Sequence, residues 1–288
     1  MKRAGRRRNF MRINMKKTGK NLLVLLALLP GIILIIFPMY VTIVTAFKTP
    51  QESGSSFFAL PSSFFLGNFI SVINKSYYFR YILNTAVILL CSVIVELLIV
   101  PMAAYSIQRN NRKYYRFIYI FIVCGLFVPF QVRMVSLVQM MSQLHLMSKL
   151  GMVFLYLAAT TPPGVFLITG YLKSVPEQIE EAAYMDGSSY GATYFKVVFP
   201  LLKPILSTLL IKDSLFIWND FQLPLIILNG STKSWTLQLF QYNFKSQYSF
   251  DYNLAFASFI MTMLPILILY ILIQKNIVAG LSAGAVKG

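Results

Sequence analysis

Apolar runs long enough to cross a bilayer alternate with short polar stretches along this chain, and the alternation predicts six spanning helices. The runs are 21–47, 81–107, 114–133, 150–172, 204–228 and 254–274, set against the roughly 20 residues a helix needs to cross a hydrocarbon core. The third has the shortest purely apolar core. Pro30 and Pro38 predict kinks in the first. Thr160-Thr161-Pro162-Pro163-Gly164 predicts a bend or local opening in the fourth, since backbone freed by proline is tolerated at membrane depth only against protein or a water-filled cavity. Residues 48–80 and 229–253 read as external loops, the latter carrying Trp235 for the interface. The Met-rich stretch 131–148 reads as an amphipathic helix at the outer surface. Uniformly apolar runs of this length exclude a β-barrel, whose strands alternate over about 10 residues.

Composition agrees: 57% of residues are hydrophobic and 12% charged, where soluble domains carry roughly 25% charged residues. The class is an all-α polytopic membrane protein. The net charge of +17 is placed by topology rather than by nucleic acid. Segments 1–20, 109–116, 173–204 and 275–288 hold 18 of the 26 Lys and Arg, and the opposite loops hold 7, so both termini are expected in the cytoplasm. The organisation is a basic leader at 1–20, a transmembrane domain at 21–274 and a tail at 275–288. The leader resembles a signal peptide, and Arg6-Arg7-Arg8 a twin-arginine signal. The apolar run that follows is longer than the roughly 7–15 residues of a signal core, so it is read as a retained span. The leader's charges suit anionic lipid. Cys91 and Cys124 fall inside apolar runs and read as small buried hydrophobes. His145 is the only histidine, too little for a zinc site or a triad. No G-x-x-x-x-G-K-[ST] loop is present, so the chain offers no catalytic residue, and ATP hydrolysis would belong to another chain.

The long polar stretch of the second half, Ser174–Pro204, holds four of the nine acidic residues: Glu177, Glu180, Glu181 and Asp186. Ser174 and Glu177 fit a capping box, and Pro176 fits the first turn of a helix. That helix is expected to run to Met185 and stop at Gly187. A second is expected from Ser189 to Val198, before Pro200 turns the chain into the fifth span. Glu181-Ala182-Ala183, three residues, Gly187, nine residues and Val197-Val198-Phe199-Pro200 resembles the EAA motif of binding-protein-dependent ABC importer permeases, with Val for Ile and Phe for Leu. Trp218-Asn219-Asp220-Phe221 with Pro224-Leu225, and the tail Gly280–Gly288, resemble carbohydrate permeases of the maltose-transporter MalG type. Asn276–Ala279 departs from that pattern, where relatives often carry a more basic run.

The resemblance implies six spans with both termini inside and a coupling helix docked on an ATPase through Glu180, Glu181, Ala182, Ala183, Gly187 and Pro200. A second contact would come from Gly284, Ala285, Val286 and Lys287. It also implies a second permease as heterodimer partner, two ATPase subunits carrying ATP and magnesium, an extracytoplasmic solute-binding protein, a bacterial or archaeal-type cell membrane, and a sugar or oligosaccharide as cargo.

Polar residues inside the spans admit two readings. Trp218, Asn219, Asp220 and Glu96 either line a translocation path or fix helix packing, since intramembrane carboxylates generally face a bundle interior or a cavity. Asn84 reads as interhelical glue. An ion-coupled secondary transporter using Glu96, Asp213 and Asp220 is the rival, but such folds are expected to contain internal repeats, and none is evident.

Overall fold

The structure, a computed structural model, describes Val24 and residues 28–75, 77–247 and 251–285. The basic leader lies outside the described residues. The helices are α1 (Leu28–Ala46), α2 (Pro50–Ser55), α3 (Gly67–Lys75), α4 (Tyr78–Gln108), α5 (Lys113–Cys124), α6 (Phe130–Gln143), α7 (Lys149–Leu172), α8 (Gln178–Met185), α9 (Tyr190–Thr193), α10 (Phe199–Leu201), α11 (Lys203–Asn219), α12 (Gln222–Leu228), α13 (Leu237–Gln247) and α14 (Tyr252–Ala285). Four of them, α1, α4, α7 and α14, are single helices long and apolar enough to cross a membrane. Counting each of two bent pairs as one span brings the number among the described residues to as many as six. The helix of α14 continues past Gln274, where the sequence suggested a tail.

The chain divides into two compact units, Met1–Val72 with Phe250–Ile260 and Ile73–Ser249 with Met261–Gly288. In the first, the problem solved is the end of α1. A helix leaves its last carbonyls without partners, and here two distant asparagines supply donors. Asn68 Nδ2 donates to the carbonyls of Ala46 and Lys48, both at 2.8 Å. Asn253 Nδ2 donates to Thr45 (2.8 Å) and Lys48 (2.9 Å) and lies 2.7 Å from Ser53 Oγ. Lys48, fully buried, turns its ammonium to the Ser56 and Phe57 carbonyls.

The second unit is built on α4 and α7. Gly164 permits their approach: a Cβ there would lie 2.9 Å from Val100 Cγ1. Around the contact Ala104, Tyr105, Val165, Ile168 and Leu172 are buried together with Tyr194, Val198 and Leu202. Asn84 accepts from Lys149 of α7 at 3.0 Å, joining α4 to α7 as interhelical glue, and also donates to the Lys233 and Trp235 carbonyls, tying that loop down.

Several sequence expectations are corrected. The third apolar run ends earlier than expected, at Phe127 rather than Arg133; after a 106° bend, with Pro129 as N-cap, α6 occupies Phe130–Gln143 in the Met-rich stretch read as a separate helix. The fourth run does not open at its prolines. The helix of α7 continues through Pro162 and Pro163, with Thr161 Oγ1 donating to Leu157 O at 2.6 Å; the two lost N–H donors are tolerated inside a packed bundle. The fifth run is interrupted, since α11 stops at Asn219 and α12 begins at Gln222. Cys91 and Cys124 are free thiols but exposed rather than buried, on the outer faces of apolar helices.

The solitary histidine has a backbone role. His145 has φ +54° and follows α6. Its N–H donates to Ser142 O (3.1 Å), and the N–H of Leu146 donates to Met141 O (2.8 Å). These are the two bonds of a Schellman cap, whose left-handed position favours glycine.

Two outcomes are expected. His145→Gly relieves left-handed strain and stabilises the detergent-solubilised protein by about 1 kcal/mol, read as a rise in thermal unfolding midpoint. Asn253→Asp keeps the shape but removes both side-chain N–H donors and sets a carboxylate oxygen against the Thr45 and Lys48 carbonyls, at a cost of about 1–3 kcal/mol. An unchanged midpoint for Asn253→Asp contradicts the capping role.

Candidate functional site

The polar stretch after α7 folds into two short limbs around a glycine. The first limb, α8, carries Glu180 and Glu181 in its first turn, where negative charge suits the helix dipole. The expected capping box does not form. The N-cap is Glu177 and makes no side-chain cap bond; Ser174 instead donates its hydroxyl to Tyr171 O at 2.7 Å, because it lies in the turn that closes α7. The other end closes as a Schellman motif. The N–H of Ser188 donates to Ala183 O (2.9 Å) and that of Gly187 to Tyr184 O (3.0 Å), with Gly187 at φ +81°. The separation of Ala183 from Gly187 is that between the third-last helical residue and the left-handed position of the cap. The A-x3-G spacing is thus a helix-ending geometry written in sequence. A Cβ at Gly187 would meet nothing within 4 Å, so the requirement for glycine is conformational.

The second limb starts at Ser189, whose Oγ accepts from Ala192 N–H at 3.3 Å. It passes from α9 into a π-turn at Tyr194–Val198 and on to α10. There the N–H of Phe199 donates to Tyr194 O, while Pro200, next in line, has no N–H to give. The chain then turns by 70° between the Tyr190–Leu201 segment and α11. Val198 and Leu202 are fully buried against α4 and α7, so the end of the motif seats this limb, while Pro200 is exposed.

What locks α8 to the bundle is an ion pair that the sequence does not announce. Arg109, just past α4, donates through Nε to Glu180 Oε1 at 2.8 Å, and its Nη2 lies 2.8 Å from the same oxygen. Tyr105 OH donates to Glu180 Oε2 at 2.7 Å. The remaining guanidinium groups reach Val175 O (3.0 Å), Leu172 O (3.4 Å) and Glu177 Oε1 (3.3 Å). The Arg109 and Glu180 side chains are 9% and 6% exposed. Glu180 is therefore held inward, toward α4.

The opposite face of α8 is open. Gln178, Glu181, Ala182 and Met185 recur at helical spacing and are all exposed, Met185 at 87%. Glu181 pairs with no base among the described residues, and Ala183 is half-buried. Ile179, Tyr184 and Tyr190 are also exposed. An apolar patch around one acid and two alanines, on a polar connector, is the character of an interaction surface. Sequence reading singled out the acids and missed this apolar component, although Ile179 and Met185 are visible in it.

The residues read as translocation-path candidates do not share one environment. Trp218 is buried and donates through Nε1 to Thr262 O at 3.1 Å. Asp220 sits at the break after α11, accepting from Tyr156 OH and from Gln222 N–H, each at 3.0 Å. Glu96 is fully buried beside Gly164, facing Asp213 and Thr160; Lys212 pairs with Asp213. Asn219 is exposed and donates to Leu215 O at 2.8 Å. Gly284 and Ala285 lie in the last turn of α14. Val286 and Lys287 are outside the described residues.

The profile of the family described as binding-protein-dependent transport system inner membrane component matches residues 98–283. The chain is 45% identical over 260 residues to the multiple sugar-binding transport system permease protein MsmG of Streptococcus mutans, covering 89% of this chain and 94% of that one. It is 36% identical to the probable starch degradation products transport system permease protein AmyC of Thermoanaerobacterium thermosulfurigenes, covering 88% and 92%. In fold it is similar to a chain in the crystal structure of a bacterial ABC transporter that imports the acidic polysaccharide alginate, with a TM-score of 0.75 at 21% identity over 88% of this chain and 95% of that chain. With its EAA spacing, its bent spans and these relatives, the chain belongs to the binding-protein-dependent transport system inner membrane component family.

Proposed function

We propose that this chain is the permease subunit of an ATP-driven importer for a sugar or oligosaccharide. In this reading it pairs with a second permease, two ATPase subunits and a solute-binding protein. The substrate class follows its relatives, whose names specify sugars, starch products and melibiose, raffinose and stachyose. Family membership makes the chain a transport component rather than an enzyme. It also removes support from the ion-coupled reading built on Glu96, Asp213 and Asp220. Positive charge on the loops at the α8 end supports a cytoplasmic placement for that end and for both termini.

The observation that carries the coupling role is the two-faced α8. Its inner face is fixed to α4 and α7 through Arg109, and its outer face presents Glu181, Ala182 and Met185. An ATPase cleft closing on that outer face would displace α8, and the ion pair would pass the displacement to the spans, a rigid-body mode of switching. Ala182 would let the partner come close. Glu181 would meet a basic group, and Gly187 would hold the turn between the limbs. The tail, at Gly284, Ala285, Val286 and Lys287, would lie along the ATPase pair as a second contact.

Copurification with the ATPase and binding-protein-stimulated ATP hydrolysis test this reading. Gly187→Val imposes a left-handed conformation on a β-branched residue at roughly 1–2 kcal/mol or more, and is expected to abolish ATPase association while leaving membrane insertion intact. Gly187→Asn, which tolerates that conformation, should retain most of it; equal loss from both variants contradicts the cap. Arg109→Ala strands a buried carboxylate at a cost of about 3–5 kcal/mol. It should uncouple hydrolysis from transport, with Glu180→Gln milder because the amide still accepts from Tyr105. Full transport by Arg109→Ala would sink the proposed linkage.

A further inference from the structure

A second feature lies at the same end of the helical bundle and plays no part in the α8 lock. A cavity of about 330 Å³ opens between the end of α4, the start of α5 and the end of α7. Arg112, Arg116 and Lys173 line it, with Gln108, Asn111 and Tyr119. No acidic residue is among its walls. All nine acids of the chain are described residues, and none pairs with any of these three cations. Arg109 provides the contrast: a few residues away it is matched to Glu177 and Glu180. Three like charges sharing a small cavity repel one another, and an anion that fills it removes the repulsion.

Position narrows the anion. The cavity lies where α4 ends at Gln108, α5 begins at Lys113 and α7 ends at Leu172. In a membrane protein this is the depth at which an apolar helix passes into the headgroup layer. From the cavity wall at Arg116 and Tyr119, α5 continues into exposed apolar residues, Phe117, Ile120 and Phe121, with the two phenylalanine rings stacked at 6.4 Å. A soluble anion has no use for that adjoining surface, whereas acyl chains do.

We propose that this cavity binds the phosphate headgroup of an anionic phospholipid, held by Arg112, Arg116 and Lys173, with its acyl chains along the exposed face of α5. Arginine suits the role because its planar fork takes two phosphate oxygens at once.

The purified complex is delipidated in mild detergent and given phosphatidylglycerol or phosphatidylcholine, and retained lipid is counted by native mass spectrometry. The wild type is expected to retain phosphatidylglycerol in preference to phosphatidylcholine. R112Q/R116Q/K173Q should lose about a hundredfold in that preference, taking roughly 1 kcal/mol for each cation near anionic lipid. R112K/R116K should keep most of it. ATPase copurification, assigned above to the outer face of α8 and its Gly187 turn, should persist in both variants and shows that they are folded. If the triple variant does not assemble, Arg116→Glu alone is expected to reverse the preference. Equal retention of phosphatidylglycerol by wild type and charge variants overturns the proposal. So does displacement of the lipid by excess inorganic phosphate, which would assign the site to a soluble phosphate.

Discussion

The architecture at the α8 end depends on Arg109 meeting Glu180. Withdrawing two charges from water costs several kcal/mol each and is repaid only when geometry and hydrogen bonding are complete. Here they are: one carboxylate oxygen takes the guanidinium, the other takes Tyr105 OH, and the spare guanidinium N–H groups go to Leu172, Val175 and Glu177. One side chain thus joins the end of α4, the end of α7 and the first turn of α8. A connector attached only by its two chain ends would yield when pushed. One that is also fixed through its middle moves with the spans.

Helix ends pose the same problem throughout this chain, and it is solved in two ways. Where the next turn is local, the backbone closes itself, with Gly187 after α8 and His145 after α6 taking the left-handed position. Where the end is buried under other elements, donors come from far along the sequence. Asn68 and Asn253 serve α1 in one unit, and Arg109 serves α7 in the other. A membrane protein cannot leave such carbonyls to water, so polar residues with little apparent purpose in the sequence become structural fasteners.

This explains what could be read beforehand. The spans follow from apolar run length, and the A-x3-G spacing is local, so Gly187 was legible as a turn. The partner of Arg109 was not: its three charged neighbours in the 109–116 loop offer the same topological reading, and nothing local shows that one of the four reaches a glutamate 71 residues away. Ser174 and Glu177 matched a capping box by spacing, but the turn closing α7 claimed the serine first. Pro162 and Pro163 argued for a break that packing against α4 overrides. The break that does occur, at Asp220, came from a side chain accepting the Gln222 N–H, a competition that hydropathy does not register.

The brevity of α8 has an implication for biogenesis. Eight residues form too few intrahelical bonds to persist alone in water, so this helix owes its existence to the residues that clasp it. Those residues, Tyr105 and Arg109, stand at and just past the end of α4, which must first be inserted and packed against α7. The exposed face of α8, proposed above as the docking surface, is therefore absent from an immature chain and appears as a product of correct membrane assembly. In the docking role proposed for α8, recruitment would carry its own quality control: only a chain that has already folded would have anything to bind.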